Sequence, residues 1–126
     1  PVKQLQDELK KNHLATIERA KEFLALNYQK DISLSDIASQ AYVSPFHFSR
    51  IFKTFTAASP HQYLMQLRLK NAELLLKNTD LPIGDISFSS GFNSMQYFVS
   101  AFRQKYNQAP SQFRQVRSTL QKSRIS

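Results

Sequence analysis

Two stretches of this chain repeat one another. Asp31-Ile32-Ser33-Leu34-Ser35-Asp36-Ile37 aligns with Asp80-Leu81-Pro82-Ile83-Gly84-Asp85-Ile86 at a shift of 49. Past a one-residue insertion near Ser94 the shift becomes 50. Phe48 then meets Phe98, Phe52 meets Phe102, Lys53 meets Arg103, and Ser59-Pro60-His61-Gln62-Tyr63 meets Ala109-Pro110-Ser111-Gln112-Phe113. A duplicated segment of this length is one supersecondary unit used twice, and each copy must bury an apolar face of its own.

Apolar spacing and proline placement say what that unit is. Leu14, Ile17, Leu24 and Tyr28 share one face of a helix over about 14–29, and Tyr63, Leu64, Leu67, Leu74 and Leu75 mark a longer one over about 60–77. Pro45 and Pro60 each follow a serine, Ser44 and Ser59, which is a helix start with proline at its first position. Pro82 and Pro110 also head helical patterns, and Ser33 to Asp36 has the form of a capping box. With two glycines in 126 residues, a turn-rich β chain is excluded. The expected fold is all-α, with about seven helices.

Each copy reads as a helix-turn-helix. The first, about 34–55, has a short helix, a turn at Tyr42-Val43, and a second helix from Pro45. The second, about 83–106, turns at Gly91-Phe92 before a helix from Ser94. A tight turn between helices favours positive φ, which glycine adopts without strain. Gly91 meets that need, whereas Tyr42 stands at the matching place in copy one.

The second helices carry the candidate chemistry. On the first, Phe48, Ile51, Phe52 and Phe55 form a core face, leaving Phe46, Ser49, Arg50 and Lys53 on another. An α-helix fits the DNA major groove, where Arg pairs bidentately with guanine O6 and N7. Arg50 is the leading base-reading candidate, with Phe46 placed for a sugar or a thymine methyl and Ser49 for a base edge. On the second helix, Phe98, Ala101, Phe102 and Tyr106 form the core face. Met95, Gln96 and Ser100 are its base-facing candidates, with Gln96 suited to adenine. Phosphate candidates are His47, Lys53, Arg103 and Lys105, joined by Ser33, Ser44, Ser59 and Asn93 at helix starts. The helix between the copies, at 1.5 Å per residue, spans about 27 Å, close to the ~34 Å between successive major grooves.

Charge agrees with a polyanionic partner. The formal charge is +8, and after Asp85 the chain has six basic residues and no acid. Cysteine is absent, which excludes disulfides, thiol catalysis and cysteine-based zinc sites. No run of about 18 apolar residues spans a membrane. His13, His47 and His61 lack close metal-ligand spacing, and no Ser-His-Asp set is present. Neither an enzyme, a metal nor a cofactor is expected.

These residues resemble the DNA-binding domain of the AraC/XylS family of bacterial transcription regulators. The resemblance covers about residues 14–117. It rests on Ser44-Pro45-Phe46-His47-Phe48-Ser49-Arg50-Ile51-Phe52-Lys53, Arg68-Leu69-Lys70-Asn71-Ala72-Glu73-Leu74-Leu75 and Ile83-Gly84-Asp85-Ile86. It continues through Gly91-Phe92-Asn93-Ser94, Tyr97 to Arg103, and Ala109 to Arg114. It implies two helix-turn-helix units on a linker helix, contact with adjacent major grooves of double-stranded promoter DNA, and activation through RNA polymerase. It also implies a bacterial cytoplasmic, nucleoid-associated protein whose effector acts through an upstream domain. Residues 1–13 are then a linker or helix extension, residues 118–126 a basic tail, and the chain, which lacks an initiator Met, a fragment or a processed product. The chain departs from the family at Ala57 and Asn107, where glycine is usual, and at Ser100, where Arg is common. The competing reading is a helical protein-interaction module with only non-specific DNA affinity. That module would not need Arg50, Lys53 and an acid-free C-terminal third.

Overall fold

The computed structural model describes residues 2–116. They form α1 (Val2–Asn27), α2 (Leu34–Gln40), α3 (Pro45–Thr56), α4 (Pro60–Asn78), α5 (Ile83–Ser89) and α6 (Met95–Tyr106), with a further helix, α7, over 110–116. Among the described residues there is no strand, and no helix is long and apolar enough to cross a membrane. The basic tail over 118–126 lies outside the described residues.

α1 begins a dozen residues before the expected start near residue 14. Of the linker and the helix extension expected for residues 1–13, the structure has the extension, and its apolar residues Val2, Leu5 and Leu9 are exposed, as is Leu14. Good helix formers such as Gln, Glu, Leu and Lys carry these early turns. The buried stripe of α1 is Ile17, Ala20 and Leu24. Residues 2–13 and 14–27 are thus one unbroken helix.

The chain divides into two compact units, with the boundary between Met65 and Gln66 inside α4. In the first unit α1, α2 and α3 pack pairwise around Ile17, Ala20, Leu24, Ile37, Phe48, Ile51 and Phe52, with Leu64 of α4 also buried. In the second, α5 packs on α6 around Ile86, Phe98 and Phe102, and Leu69, Ala72 and Leu76 of α4 are buried as well. The repeat survives as packing: Phe48 and Phe52 lie 5.5 Å apart ring to ring, and Phe98 and Phe102 lie 5.8 Å apart. Each ring is fully buried, which stabilises its unit by roughly 1.5–3 kcal/mol. The buried side of α4 differs from expectation, because Leu74 is exposed while Leu69, Ala72 and Leu76 are enclosed. With leucine at three consecutive positions, 74 to 76, composition does not say which one faces inward.

Helix starts follow the local chemistry. Ser33 caps α2 as a full capping box: its Oγ accepts from Asp36 N–H at 3.1 Å, and its own N–H donates to Asp36 Oδ2 at 2.9 Å. Ser59, just before α4, forms the neutral counterpart with Gln62 at 3.1 and 2.9 Å. Ser44 and Ser94 cap α3 and α6 by accepting from the third backbone N–H, at 3.3 and 3.1 Å. Pro82 occupies the cap position of α5 and makes no side-chain cap bond.

Both turns adopt the expected left-handed backbone. Gly91 has φ 98°, and Tyr42, 86% exposed, has φ 60°. Ala57 and Asn107, which end α3 and α6, are left-handed too, at 63° and 60°. Copy one therefore holds two residues with a Cβ other than Asn in a conformation that disfavours it.

Candidate nucleic-acid interface

α3 is divided lengthwise. Phe48, Ile51 and Phe52 are buried, while Phe46, His47, Arg50 and Lys53 are exposed and Ser49 is half-buried. Phe55, expected in the core face, is only half-buried, with its edge against His13 of α1 at 5.8 Å. No acidic residue stands in the first turn of α3, so its positive pole is uncompensated. α6 shares this property, whereas α2 and α5 carry Asp36 and Asp85 there. Within each helix-turn-helix, then, the first helix starts with an acid and the second does not.

The guanidinium of Arg50 lies over the ring of Phe46, 5.8 Å from its centroid. On the flank of α3, His47 meets His13 edge to face at 6.0 Å. His13, His47, Arg50, Thr54 and Phe55 line a recess of about 250 Å³. Ser49 faces another recess, of about 170 Å³, together with Ser59 and His61. The structure therefore groups Phe46 with Arg50, His47 with Arg50, and Ser49 with Ser59.

On α6, Met95, Gln96, Ser100 and Arg103 line one open groove of about 680 Å³ with Val99 and Gln104. Lys105 is not among these; its ammonium sits 5.6 Å from the ring centroid of Tyr106. Asn93 is exposed immediately before the capping Ser94.

Two of the serine positions have prior commitments. The Ser33 N–H and Oγ are both engaged by Asp36, whose carboxyl is held below the usual carboxylate range chiefly by the Ser33 backbone N–H. A phosphate there meets a carboxylate instead of a free donor. The Ser59 N–H is taken by Gln62.

One cation of the acid-free stretch turns inward. Arg114 donates to the carbonyls of Leu81 and Thr79, at 2.6 and 3.2 Å, tying α7 to the loop after α4. Glu73 of α4 accepts from Lys77 at 2.8 Å and from the Tyr106 hydroxyl at 2.8 Å. The Arg114 and Tyr106 links, like the His13–His47 contact, join residues more than thirty positions apart, where helical periodicity carries no signal.

The family model described as "Helix-turn-helix domain" matches residues 37–116, which include both α3 and α6. The chain belongs to the AraC/XylS family of helix-turn-helix transcription regulators. Within this family it is 31% identical over 103 residues to Regulatory protein PocR of Salmonella typhimurium, covering 82% of the chain and 34% of PocR. The C-terminal domain of AraT, a response regulator from Geobacillus stearothermophilus, superposes with a TM-score of 0.78 at 30% identity, covering 81% of the chain and 85% of that structure. An AraC-type transcriptional regulator from Chromobacterium violaceum gives 0.76 at 31% identity, covering 82% and 93%. The chain spans about a third of the length of the first curated relatives it matches. It carries the DNA-binding function of the family. Among the described residues no cluster of three or more His, Asp or Glu is placed to hold a metal.

Proposed function

We propose that the chain regulates transcription by reading promoter DNA mainly through α3. The observation that carries this is the division of α3, with buried Phe48, Ile51 and Phe52 on one side and exposed Phe46, Arg50 and Lys53 on the other. Arg50 takes the base-reading role and Lys53 and His47 hold phosphate beside it. Ser49 reaches a base edge from the margin of the face. The start of α3 at Ser44 adds backbone donors uncompensated by acid.

α6 contributes a weaker reader. Gln96 addresses a base, Met95 and Ser100 supply contact area with little charge, and Arg103, Lys105 and Asn93 hold phosphate. Ser33 and Ser59 act here as caps that fix helix starts, since their backbone N–H donors are already engaged. α3 and α6 enter adjacent major grooves, and the bound protein activates through RNA polymerase in the bacterial cytoplasm, at the nucleoid. Effector response is assigned to an upstream domain, in line with the fraction of its relatives' length that the chain spans.

The test is selection of bound sequences from a random duplex pool. The expected product is two short motifs about one helical turn apart, the better-defined one owed to α3. A pool without sequence enrichment would leave only charge-driven, non-specific affinity. A better-defined motif that persisted in Arg50→Ala would assign the reading to α6.

A further inference from the structure

Phe46 is three-quarters exposed, an expensive place for a large apolar ring, and no core residue requires it there. What it does touch is Arg50, one helical turn on, whose guanidinium lies over the ring at 5.8 Å. Among the described residues that guanidinium has no ion pair, and the ring it lies over is that of Phe46. Elsewhere on α3 the Arg50 carbonyl accepts from Thr54 Oγ1, which leaves the side chain untouched. The duplicated unit supplies an internal comparison. At a shift of 50, Phe46 and Arg50 correspond to Gln96 and Ser100, so ring and guanidinium are present together in one copy and absent together from the other.

We propose that Phe46 is a positioning residue for Arg50: its ring is a platform that holds the guanidinium plane, leaving the N–H edge free for a guanine. The physical reason is entropic and electrostatic. A free Arg side chain samples many rotamers, and fixing it on DNA costs affinity. A ring face attracts the cation and removes part of that freedom before the DNA arrives, while guanidinium donors lie in the plane and stay available. The apolar exposure of Phe46 is thereby part of base reading, although Phe46 need touch no base. This rests on the reading of Arg50 as the base-contacting residue.

A double-mutant cycle tests it, using duplexes that carry each single base-pair change in the selected site. Phe46→Ala should reduce discrimination about 2- to 5-fold, the worth of an exposed cation–π contact, at the same base pair that Arg50→Ala affects. In the Arg50→Ala background, Phe46→Ala should change discrimination at that pair by less than about 1.5-fold. Phe46→Tyr and Phe46→Trp should keep the wild-type value, and Phe46→Leu should behave like Ala, because leucine is apolar but has no π face. Far-ultraviolet circular dichroism of each variant checks that α3 is intact. An additive cycle, a loss at a different base pair, or full retention by Leu would overturn the platform and make Phe46 a direct contact, for instance to a thymine methyl. Sequence-independent loss in Arg50→Ala would instead sink the base-reading role of Arg50, and the platform with it. The two failures are thus distinguishable.

Discussion

At the residue scale, the two copies differ at the corresponding positions Arg50 and Ser100. Arg50→Ala should cost roughly 1–3 kcal/mol and relax specificity at one base pair, read by competition with single-substituted duplexes. Ser100→Ala should cost far less. A uniform loss across all sequences would make Arg50 a phosphate contact. The left-handed positions give a second expectation. Ala57→Gly relieves a Cβ at φ 63° and should stabilise the fold by about 0.5–1 kcal/mol, net of glycine's greater chain entropy. Asn107→Gly should gain less, since Asn tolerates this region. Thermal melts of the two variants make the comparison, and an equal gain would contradict it. The need for positive φ at Tyr42 was legible from the Gly91 match alone. That the side chain stays exposed at 86% required the structure.

At the element scale, the caps do most of the local work. Replacing Ser59 by Ala removes the acceptor for the Gln62 N–H and should destabilise by about 1 kcal/mol, measured by urea denaturation. No change would mean that Gln62 and solvent satisfy that helix start unaided. Acid provides a separate probe of α4. Glu73 is held below its ordinary value, near 4.5, first by the hydrogen bond from Lys77 and further by Tyr106, against burial. The folded state therefore takes up this proton at lower pH than the unfolded chain does. The stabilisation is complete above about pH 4.5 and is lost as pH falls through the lowered value. Denaturation midpoints from pH 7 to 3 should fall more steeply for the wild type than for Glu73→Gln, and parallel curves would contradict the assignment. At the alkaline end, burial and then Glu73 raise the Tyr106 hydroxyl, so its contribution is kept at neutral pH. Helix starts at Ser33, Ser44, Ser59 and Ser94 were legible because caps are local chemistry. For residues 2–13 the sequence left a linker and a helix extension both open, and the structure makes them the first half of α1.

At the scale of the whole molecule, the +8 charge becomes a binding property only where cations face outward. Lys53, Arg103 and Lys105 are exposed, but Arg114 spends its guanidinium on two backbone carbonyls. Arg114→Ala should therefore lower stability and leave the salt dependence of DNA binding nearly unchanged. Lys53→Ala should do the reverse, reducing the slope of log affinity against log salt by about one. For the intact chain, affinity for duplex DNA should fall about tenfold or more between 50 and 200 mM salt. A flat salt response would exclude phosphate contacts as the main source of affinity. Counting charges from sequence overstated the phosphate-holding capacity of the C-terminal third, since a count does not register which way a side chain points.

What the sequence determined by itself was everything governed by neighbours within about four residues, and the duplication that places two copies of it. That includes the all-α class, the serine caps, the left-handed turns, the buried Phe48/Phe98 and Phe52/Phe102 pairs, and the outward placing of Arg50. Tertiary structure alone decided which leucine of α4 is enclosed, that His13 meets His47, that Tyr106 binds Glu73, and that Arg114 is committed inward. The physical reason is range. Helical hydrogen bonds and caps act over one turn and leave a periodic trace. A contact between residues thirty positions apart depends on how helices pack, and no spacing rule within one helix encodes it.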